Sequence, residues 1–276
     1  MAKTFFKQSQ AKLSERKQEF LQKIDSAADS LPIMGNKVVC VASHPPVVRN
    51  RTKEDYWSVS LPVTFTHQEV YPNAQKFIRS IIVDDKAEAE QDYSMETRLQ
   101  MLCGYCLTGE TQERKLFNFT GSGRNGKTAL CSVLQAILGA FYGVGHSDLF
   151  IANPNGRSSC GGPEPHKAML RGKRLSVLAE TGEADKLNMK NIKELVDNNE
   201  GCIQARDCYE KGEGSVFKNT AKLMVCSNPP IKYDAVAGDD APAERLDITH
   251  FPIKFDPPGE ELDLENHRPT DTEFVD

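Results

Sequence analysis

The chain has 276 residues, of which 39% are hydrophobic and 26% charged, and its formal net charge is −5. That length can bury one large core or two modest ones, and the acidic balance excludes a basic field over the whole surface. Any contact with nucleic acid would therefore need a local patch of cations.

Residues 1–30 form a polar, basic leader without the apolar run of a signal peptide. No stretch of the sequence approaches the ~20 apolar residues that a membrane span requires. We therefore expect an intracellular, soluble protein with no membrane partner. The apolar residues of the leader fit a helix that docks on another surface, and they fit a solvated leader equally well.

Residues 31–110 predict a small α+β region. Short runs of β-branched and aromatic residues at 36–48 and 56–65, both interrupted by proline, predict strands. Apolar stripes between Asn73 and Gly109 predict two helices, and we expect the acidic stretch 84–92 between them to be a solvated break.

Eight cysteines are scattered along the chain, and no second C-x-x-C motif completes a zinc site with Cys103 and Cys106. These two residues lie at helical spacing with Leu99 and Leu102, which favours buried thiols over redox or metal chemistry. The cysteine usage suits a reducing compartment.

The stretch "GSGRNGKT" at 121–128 matches two phosphate-binding patterns. It satisfies G-x-G-x-x-G, which binds a dinucleotide, and G-x-x-x-x-G-K-[ST], which binds a nucleoside triphosphate. A buried strand, "KLFNFT", is predicted before it and a helix, "TALCSVLQAIL", after it, so the local context suits both patterns.

The flanking sequence favours the triphosphate. A dinucleotide fold needs a second strand that ends in an acid about 20 residues further on. Asp148 lies at that distance, but we predict no strand in the preceding "GAFYGVGHS". Lys127 would reach the β and γ phosphates, and Thr128 would offer its hydroxyl to Mg²⁺. The nucleotide-binding residues are expected to be Gly121, Ser122, Gly123, Arg124, Asn125, Gly126, Lys127, Thr128 and Ala129.

Two further apolar runs end in polar residues. In "KRLSVLAETGE" a predicted strand is followed by Glu180 and Glu183, which could hold the metal and polarise the attacking water or could be solvated acids. In "AKLMVCSNPP" a strand carries Ser227 and Asn228 at its tip. Asn228 could bind the γ-phosphate or the lytic water, or could open a turn before proline.

Several stretches, in this order, resemble the superfamily 3 helicases of the AAA+ class, specifically the helicase part of viral, phage and plasmid primase-helicases. "LCGYCLTGETQERKLFNFTGSGRNGKTAL" resembles their lead-in helix and Walker A loop, and "LRGKRLSVLAETGEADKLNMKNIKELV" resembles their Walker B region. "KLMVCSNPP" resembles their sensor motif, and "ERLDITHFPIKF" resembles the segment that closes the core. The resemblance runs from Leu31 to Phe255.

The resemblance implies an α/β fold of the P-loop NTPase (AAA+) type, with a parallel sheet flanked by helices and a smaller N-terminal α+β region. It implies an ATP-dependent and Mg²⁺-dependent helicase that moves along single-stranded DNA as a homo-hexamer. Lys127 matches the phosphate position, Thr128 the Mg²⁺ position, Glu180 the Walker B carboxylate and Asn228 the sensor. Glu183 fits the second acidic position less closely, because Thr181 and Gly182 intervene.

Members of this family also resemble one another in a β-hairpin that grips DNA. The matching interval here is 202–223, with "EKGEG" as the expected tip and Arg206, Lys211 and Lys218 as cations near it. Such cations would bind phosphates without sequence preference. From the residues alone an ordinary exposed hairpin is an equal alternative, since neighbouring acids offset the charge.

Two departures from the family stand out. Where it typically has two adjacent arginines, one of which acts on the neighbouring subunit's ATP, this chain has Glu244 and Arg245, so Arg245 is the candidate finger. The family also continues into a C-terminal helical region and can carry a primase. We therefore expect a truncated helicase module, with a primase domain or subunit on another chain.

The expected organisation is a helical leader at 1–30, a helicase-associated region at 31–110, an ATPase core at 111–256 and an acidic tail at 257–276. Such a protein would work in the host cytoplasm or at a viral replication site. Two other functions stay open: a P-loop phosphotransferase acting on a small molecule, and a nucleotide-regulated DNA-binding module without motor activity.

Overall fold

A computed structural model describes residues 2–66, 71–152, 163–179, 181–182, 184–197, 202–208, 214–234, 241–256 and 267–269. The helices in these ranges are α1 (Ala2–Lys23), α2 (Pro72–Ile82), α3 (Asp85–Glu90), α4 (Ser94–Leu107), α5 (Lys127–Leu138), α6 (Ser147–Phe150), α7 (Pro165–Ala168), α8 (Met189–Val196) and α9 (Ala241–Arg245). The strands are β1 (Ser30–Ile33), β2 (Lys37–Cys40), β3 (Val47–Asn50), β4 (Leu116–Thr120), β5 (Tyr142–Val144), β6 (Leu175–Leu178), β7 (Lys186–Leu187), β8 (Cys202–Ala205), β9 (Ser215–Lys218), β10 (Lys222–Ser227), β11 (Lys232–Tyr233), β12 (Leu246–His250), β13 (Lys254–Asp256) and β14 (His267–Pro269).

A parallel sheet organises the described part of the chain, with its five strands in the order β12, β4, β10, β6, β5. Every residue of β4, β6 and β10 is buried. These strands are mainly apolar and show no alternation of apolar and polar residues, because helices and loops cover both faces of the sheet. The predicted α/β fold, a parallel sheet flanked by helices, is confirmed.

Two buried clusters divide the faces of this sheet. One contains Phe117, Phe119, Leu130 and Met224 together with Leu31, Val38, Ile81 and Leu99 of the N-terminal region. The other contains Leu116, Leu223 and Val225 with side chains of α6, α8 and the strands β8 and β9. Because the first cluster draws on residues before and after position 110, the N-terminal region packs directly on the helix that follows the glycine-rich loop. The expected domain bounds stay predictions.

The N-terminal region differs from the sequence prediction at two places. Residues 36–48 do supply β2 and β3, which pair antiparallel with β1, but the strand predicted at 56–65 is wrong. This segment makes separate backbone bonds in place of a ladder, such as the one from the amide of Leu61 to the carbonyl of Pro32 in β1 (2.9 Å). Pro62 has no N–H to extend a ladder.

The prediction of a break at the acidic stretch 84–92 is wrong, because this stretch contains the short helix α3. Its exposed surface agrees with a solvated segment, and Asp84 starts the helix by accepting a hydrogen bond from the amide of Ala87 (2.7 Å). Local capping therefore overrides the absence of an apolar stripe.

The prediction that no strand precedes Asp148 is also wrong, because β5 covers Tyr142–Val144. This strand nevertheless pairs with β6 at the far edge of the sheet, and two strands separate it from β4. In a dinucleotide fold the acidic residue must stand beside the glycine-rich loop. Asp148 lies too far across the sheet for that role.

Arg174 joins the N-terminal region to the sheet. Its side chain is fully buried, donates hydrogen bonds to the carbonyls of Ala27 and Ser30, and lies 5.7 Å from the ring of Trp57. Burial lowers the pKa of Arg174 to about 10.

No helix in the described ranges is long and apolar enough to cross a bilayer.

Candidate nucleotide-binding site

The glycine-rich loop lies at the carboxyl end of β4, one of the inner strands of the parallel sheet. Gly123 and Gly126 have φ values of +93° and +79°, a conformation that side-chain-bearing residues rarely adopt. Gly126 directly precedes α5, whose first amides face the loop. An N-terminus of this kind attracts anions, because its backbone N–H groups have no partners within the helix.

Lys127 is the first residue of α5, and its ammonium group lies inside the loop. Its Nζ donates to the carbonyl of Gly121 and to Oδ1 of Asn125, both at 3.3 Å, and the residue is only 7% exposed. Burial lowers the pKa of Lys127, while the thiols of Cys226 and Cys131 oppose that shift. A cation held among neutral acceptors is suited to an incoming phosphate.

The other predicted loop residues fall into three groups by exposure. Gly121 and Asn125 are buried, Gly123 and Gly126 are half-buried, and the exposed ones are Ser122, Arg124, Thr128 and Ala129. The exposed hydroxyl of Thr128, in the first turn of α5, fits a metal ligand beside bound phosphates. Among the described residues, which leave out Glu180 and Glu183, no three His, Cys, Asp or Glu side chains form a metal cluster.

Residues 251–256, which follow β12, lie along the loop and bind it at several points. The amide of Phe251 donates to the carbonyl of Thr120 (2.8 Å), and the amide of Phe255 donates to the carbonyl of Arg124 (2.8 Å). The guanidinium of Arg124 also lies 3.4 Å from the buried carboxylate of Asp256. These contacts join positions about 130 residues apart in the chain.

Asn228, the residue predicted to be the sensor, lies beside the loop. It follows β10, and its carbonyl accepts a hydrogen bond from the amide of Gly121 (3.2 Å), while the residue itself is exposed. Ser227 is buried and accepts from Nδ2 of Asn118 on β4 (3.0 Å). Sequence reasoning missed Asn118, although a single polar residue within the apolar run of "KLFNFT" was an indication.

A pair of thiols beneath the loop was also missed. Sγ of Cys131, one turn along α5 from Lys127, lies 3.6 Å from Sγ of Cys226 on β10. Farther away, burial raises the pKa of Cys103 to about 11 and of Cys106 to about 12. Cys106 is buried, as predicted, whereas Cys103 is half-buried, and the raised pKa values favour the neutral thiol at both positions.

The acidic candidates Glu180 and Glu183 lie outside the described residues. The strand that precedes them, β6, ends at Leu178 and pairs in parallel with β10, Val225 standing opposite Leu178. Carboxyl ends of neighbouring parallel strands meet at one edge of a sheet. That edge is the one from which the glycine-rich loop extends.

Arg245 lies at the opposite edge of the sheet. It precedes β12, whose other end at His250 stands opposite Thr120, so the length of the strand separates Arg245 from the loop of its own chain. Its Nε donates to Oδ2 of Asp197 at 2.7 Å. Arg245 therefore does not reach Lys127 within one chain.

The structure describes two of the three predicted DNA-binding cations of the hairpin, Arg206 and Lys218. β8 and β9 pair antiparallel, Cys202 standing opposite Lys218, so the predicted hairpin is present. Lys218 is exposed on β9. The backbone carbonyl of Arg206 accepts a hydrogen bond from the amide of Glu164 (2.8 Å). Lys211 and most of the expected tip lie outside the described residues. The other face of the hairpin is packed in the core through Ile203 and Phe217.

Comparison with known proteins gives the chain viral relatives. Residues 119–245 match the model of a family of unknown function, DUF5906. The chain is 30% identical over 189 residues to "Putative helicase L207/L206" of Acanthamoeba polyphaga mimivirus, a match that covers 68% of this chain and 18% of the relative. It is 24% identical over 221 residues to "Putative primase C962R" of African swine fever virus, covering 79% of this chain and 22% of the relative.

The chain thus spans about a fifth of the length of these curated relatives. Among solved structures, the apo A form of the NrS-1 C-terminal region matches with a TM-score of 0.51 at 13% identity, over 84% of this chain and 47% of that one. This likeness concerns the fold. The two curated relatives are named as a putative helicase and a putative primase of viruses.

Proposed function

We propose that this chain is the ATP-hydrolysing motor core of a superfamily 3 (AAA+) helicase that acts in viral, phage or plasmid DNA replication. The observation that carries the proposal is the buried ammonium group of Lys127 within a glycine-rich loop, at the carboxyl end of β4. The similarity to viral proteins named for helicase and primase activities adds support.

The loop residues fit a nucleoside triphosphate. The backbone amides around Gly123 and Gly126 and the ammonium of Lys127 would hold the β and γ phosphates, and the Thr128 hydroxyl with Glu180 would hold Mg²⁺. A Mg²⁺ ion held there would supply positive charge against the charge that develops on the phosphates. Glu180 would take the proton of the attacking water, and Asn228 would orient that water.

The motor would assemble as a homo-hexamer around single-stranded DNA. Arg245 lies at the sheet edge opposite its own loop, so it could act only on the nucleotide of a neighbouring subunit, where a transition-state arginine is worth about 10³-fold or more. Lys218, with Arg206 and Lys211, would bind DNA phosphates in the ring's channel.

The first test compares ATP hydrolysis with and without single-stranded DNA. We expect DNA to stimulate turnover. Lys127→Ala should weaken nucleotide binding, whereas Glu180→Gln should bind ATP but lose turnover by about 10²-fold or more. The two variants differ because nucleotide binding and water activation use different groups. Glu90→Gln, an exposed change on α3, is the control.

The outcomes separate the competing functions. Normal hydrolysis by Glu180→Gln would show that another residue is the base. Hydrolysis that ignores DNA but responds to a small acceptor would indicate a phosphotransferase. Binding of DNA and ATP without turnover in the wild-type chain would indicate a regulatory module.

A further inference from the structure

The side chain of Asn125 faces into the protein, although it belongs to the loop expected to bind nucleotide. Asn125 is 2% exposed. Its Nδ2 donates to the carbonyls of Phe251 (3.1 Å) and Ile253 (2.7 Å), and its Oδ1 accepts from Nζ of Lys127 (3.3 Å). Two carbonyls require a donor and an ammonium requires an acceptor, so the environment defines the orientation of the amide.

These three bonds connect parts of the molecule that are far apart in sequence. One end of the amide binds residues 251–256, the segment that also pairs with Thr120 and Arg124. The other end binds the cation that would meet the phosphates. Asn125 is thus the side chain through which this segment contacts Lys127.

We propose that Asn125 is a positioning residue for Lys127. Its amide holds the loop against residues 251–256 and keeps the ammonium inside the loop without a competing negative charge. The inference rests on the proposed nucleotide site, and it changes the expected role of Asn125 from ligand contact to support of the ligand-binding cation. A neutral acceptor suits this task, because a carboxylate at the same place would form an ion pair with Lys127 and repel phosphate.

The test measures Lys127 directly, in the full chain without nucleotide. The rate at which acetic anhydride acetylates Lys127 is followed against pH by mass spectrometry, since only the neutral amine reacts. We expect Asn125→Asp to slow acetylation at pH 9 about tenfold, because the new carboxylate raises the pKa of Lys127. Asn125→Ala removes the acceptor, and we expect it to speed acetylation.

Opposite effects of the two variants on the acetylation rate would indicate that Asn125 positions Lys127. If the substitutions merely loosened the packing of the loop, acetylation would be faster in both variants. Asn118→Asp is the matched control: Asn118 is equally buried and donates to Val225 and Ser227, whereas the ammonium group of Lys127 donates to Gly121 and Asn125. It should lower the melting temperature while leaving the acetylation rate within about twofold.

Binding of Mg-ADP is measured on the same proteins. We expect Asn125→Asp to weaken it about tenfold or more, since the carboxylate competes with phosphate for Lys127. Faster or unchanged acetylation in Asn125→Asp would overturn the inference; should that variant not fold, unchanged acetylation in Asn125→Ala would do so. A third outcome is possible: the two variants change the acetylation rate in opposite directions, but the wild-type chain binds no nucleotide. That result would refute the proposed function and leave the positioning role of Asn125 standing.

Discussion

Lys222 is a buried cation whose environment has consequences for stability. It begins β10, is 3% exposed, and donates to the carbonyl and hydroxyl of Thr108 with its Nζ 4.7 Å from the ring of Tyr105. Burial lowers the pKa of Lys222 from 10.5 to about 7. The folded chain therefore releases a proton from this group at a lower pH than the unfolded chain does.

This shift predicts a pH dependence of stability. Between pH 7 and 9 the unfolded state holds the proton of Lys222 and the folded state releases it, so the free energy of unfolding should rise with pH by up to about 1.4 kcal/mol per unit. Below pH 7 both states are protonated and the cost of burying the charge is fully present. Lys222→Met should flatten this rise in denaturant titrations.

Lys12→Met, at an exposed position of α1, is the control and should keep the wild-type slope. The window ends near pH 9 because the raised pKa values of Cys103 and Cys106 then act in the opposite direction. Equal slopes for wild type and Lys222→Met would mean that Lys222 stays charged in the folded chain.

The junction between the glycine-rich loop and α5 packs closely against helix α2. A Cβ atom on Gly126 would lie 2.5 Å from Cγ2 of Ile81 on α2, and the φ value of Gly126 is +79°. The loop therefore needs glycine here both for backbone conformation and for the close approach of α2.

Gly126→Ala should destabilise the chain by about 1–3 kcal/mol and weaken nucleotide binding, because it introduces strain and pushes α2 away. Thermal unfolding and nucleotide titration measure the two effects. The matched control is Gly104→Ala, within α4, where an added Cβ meets no atom within 4 Å. That change should be neutral or stabilising by up to about 1 kcal/mol. A similar stability of both variants would contradict the close packing of α2.

The hairpin formed by β8 and β9 offers a second prediction at the scale of elements. Changing Lys211 and Lys218 together to alanine should weaken single-strand DNA binding and reduce the slope of its salt dependence by about one to two, because each lost cation releases about one counterion fewer. Nucleotide affinity should stay constant. Lys37→Ala with Lys53→Ala, on the N-terminal region, is the control pair, and an unchanged slope in the hairpin variant would move the DNA site elsewhere.

The position of Arg245 leads to a prediction about the whole assembly. A subunit with Arg245→Ala would be defective only toward its neighbour, whereas one with Lys127→Ala would be defective in its own site. Mixing the two inactive proteins should restore part of the ATPase activity, since some interfaces then join an intact loop to an intact arginine supplied in trans. Sizing must first show oligomers that exchange subunits.

The ion pair with Asp197 supplies a control for that experiment. Asp197 holds the guanidinium of Arg245 in the single chain, so Asp197→Asn should not prevent restoration if Arg245 acts across an interface. Mixed oligomers without activity would remove Arg245 as the finger and favour a function that does not require a ring.

The sequence by itself determined the elements around the loop. Continuous apolar runs predicted β4, β6 and β10 because buried parallel strands have no solvent face, and the glycine spacing with Lys127 predicted the phosphate loop because few other backbones can surround an anion. Helix α3 and strand β5 escaped prediction, since a charged capped helix lacks an apolar stripe and a three-residue strand is too short for a periodic pattern.

Only the tertiary structure decided which partners these elements have. The strand order placed β5, and with it Asp148, on the far side of the sheet from β4, and the parallel direction of β12 placed Arg245 at the end of the strands opposite the loop. The tertiary structure also brought Phe251 and Ile253 to Asn125, so that its side chain faces the protein interior and the carbonyls of this segment. Local patterns determine backbone conformation and burial, but contacts across more than 100 residues depend on how strands are ordered and how side chains pack, which no short stretch of sequence contains.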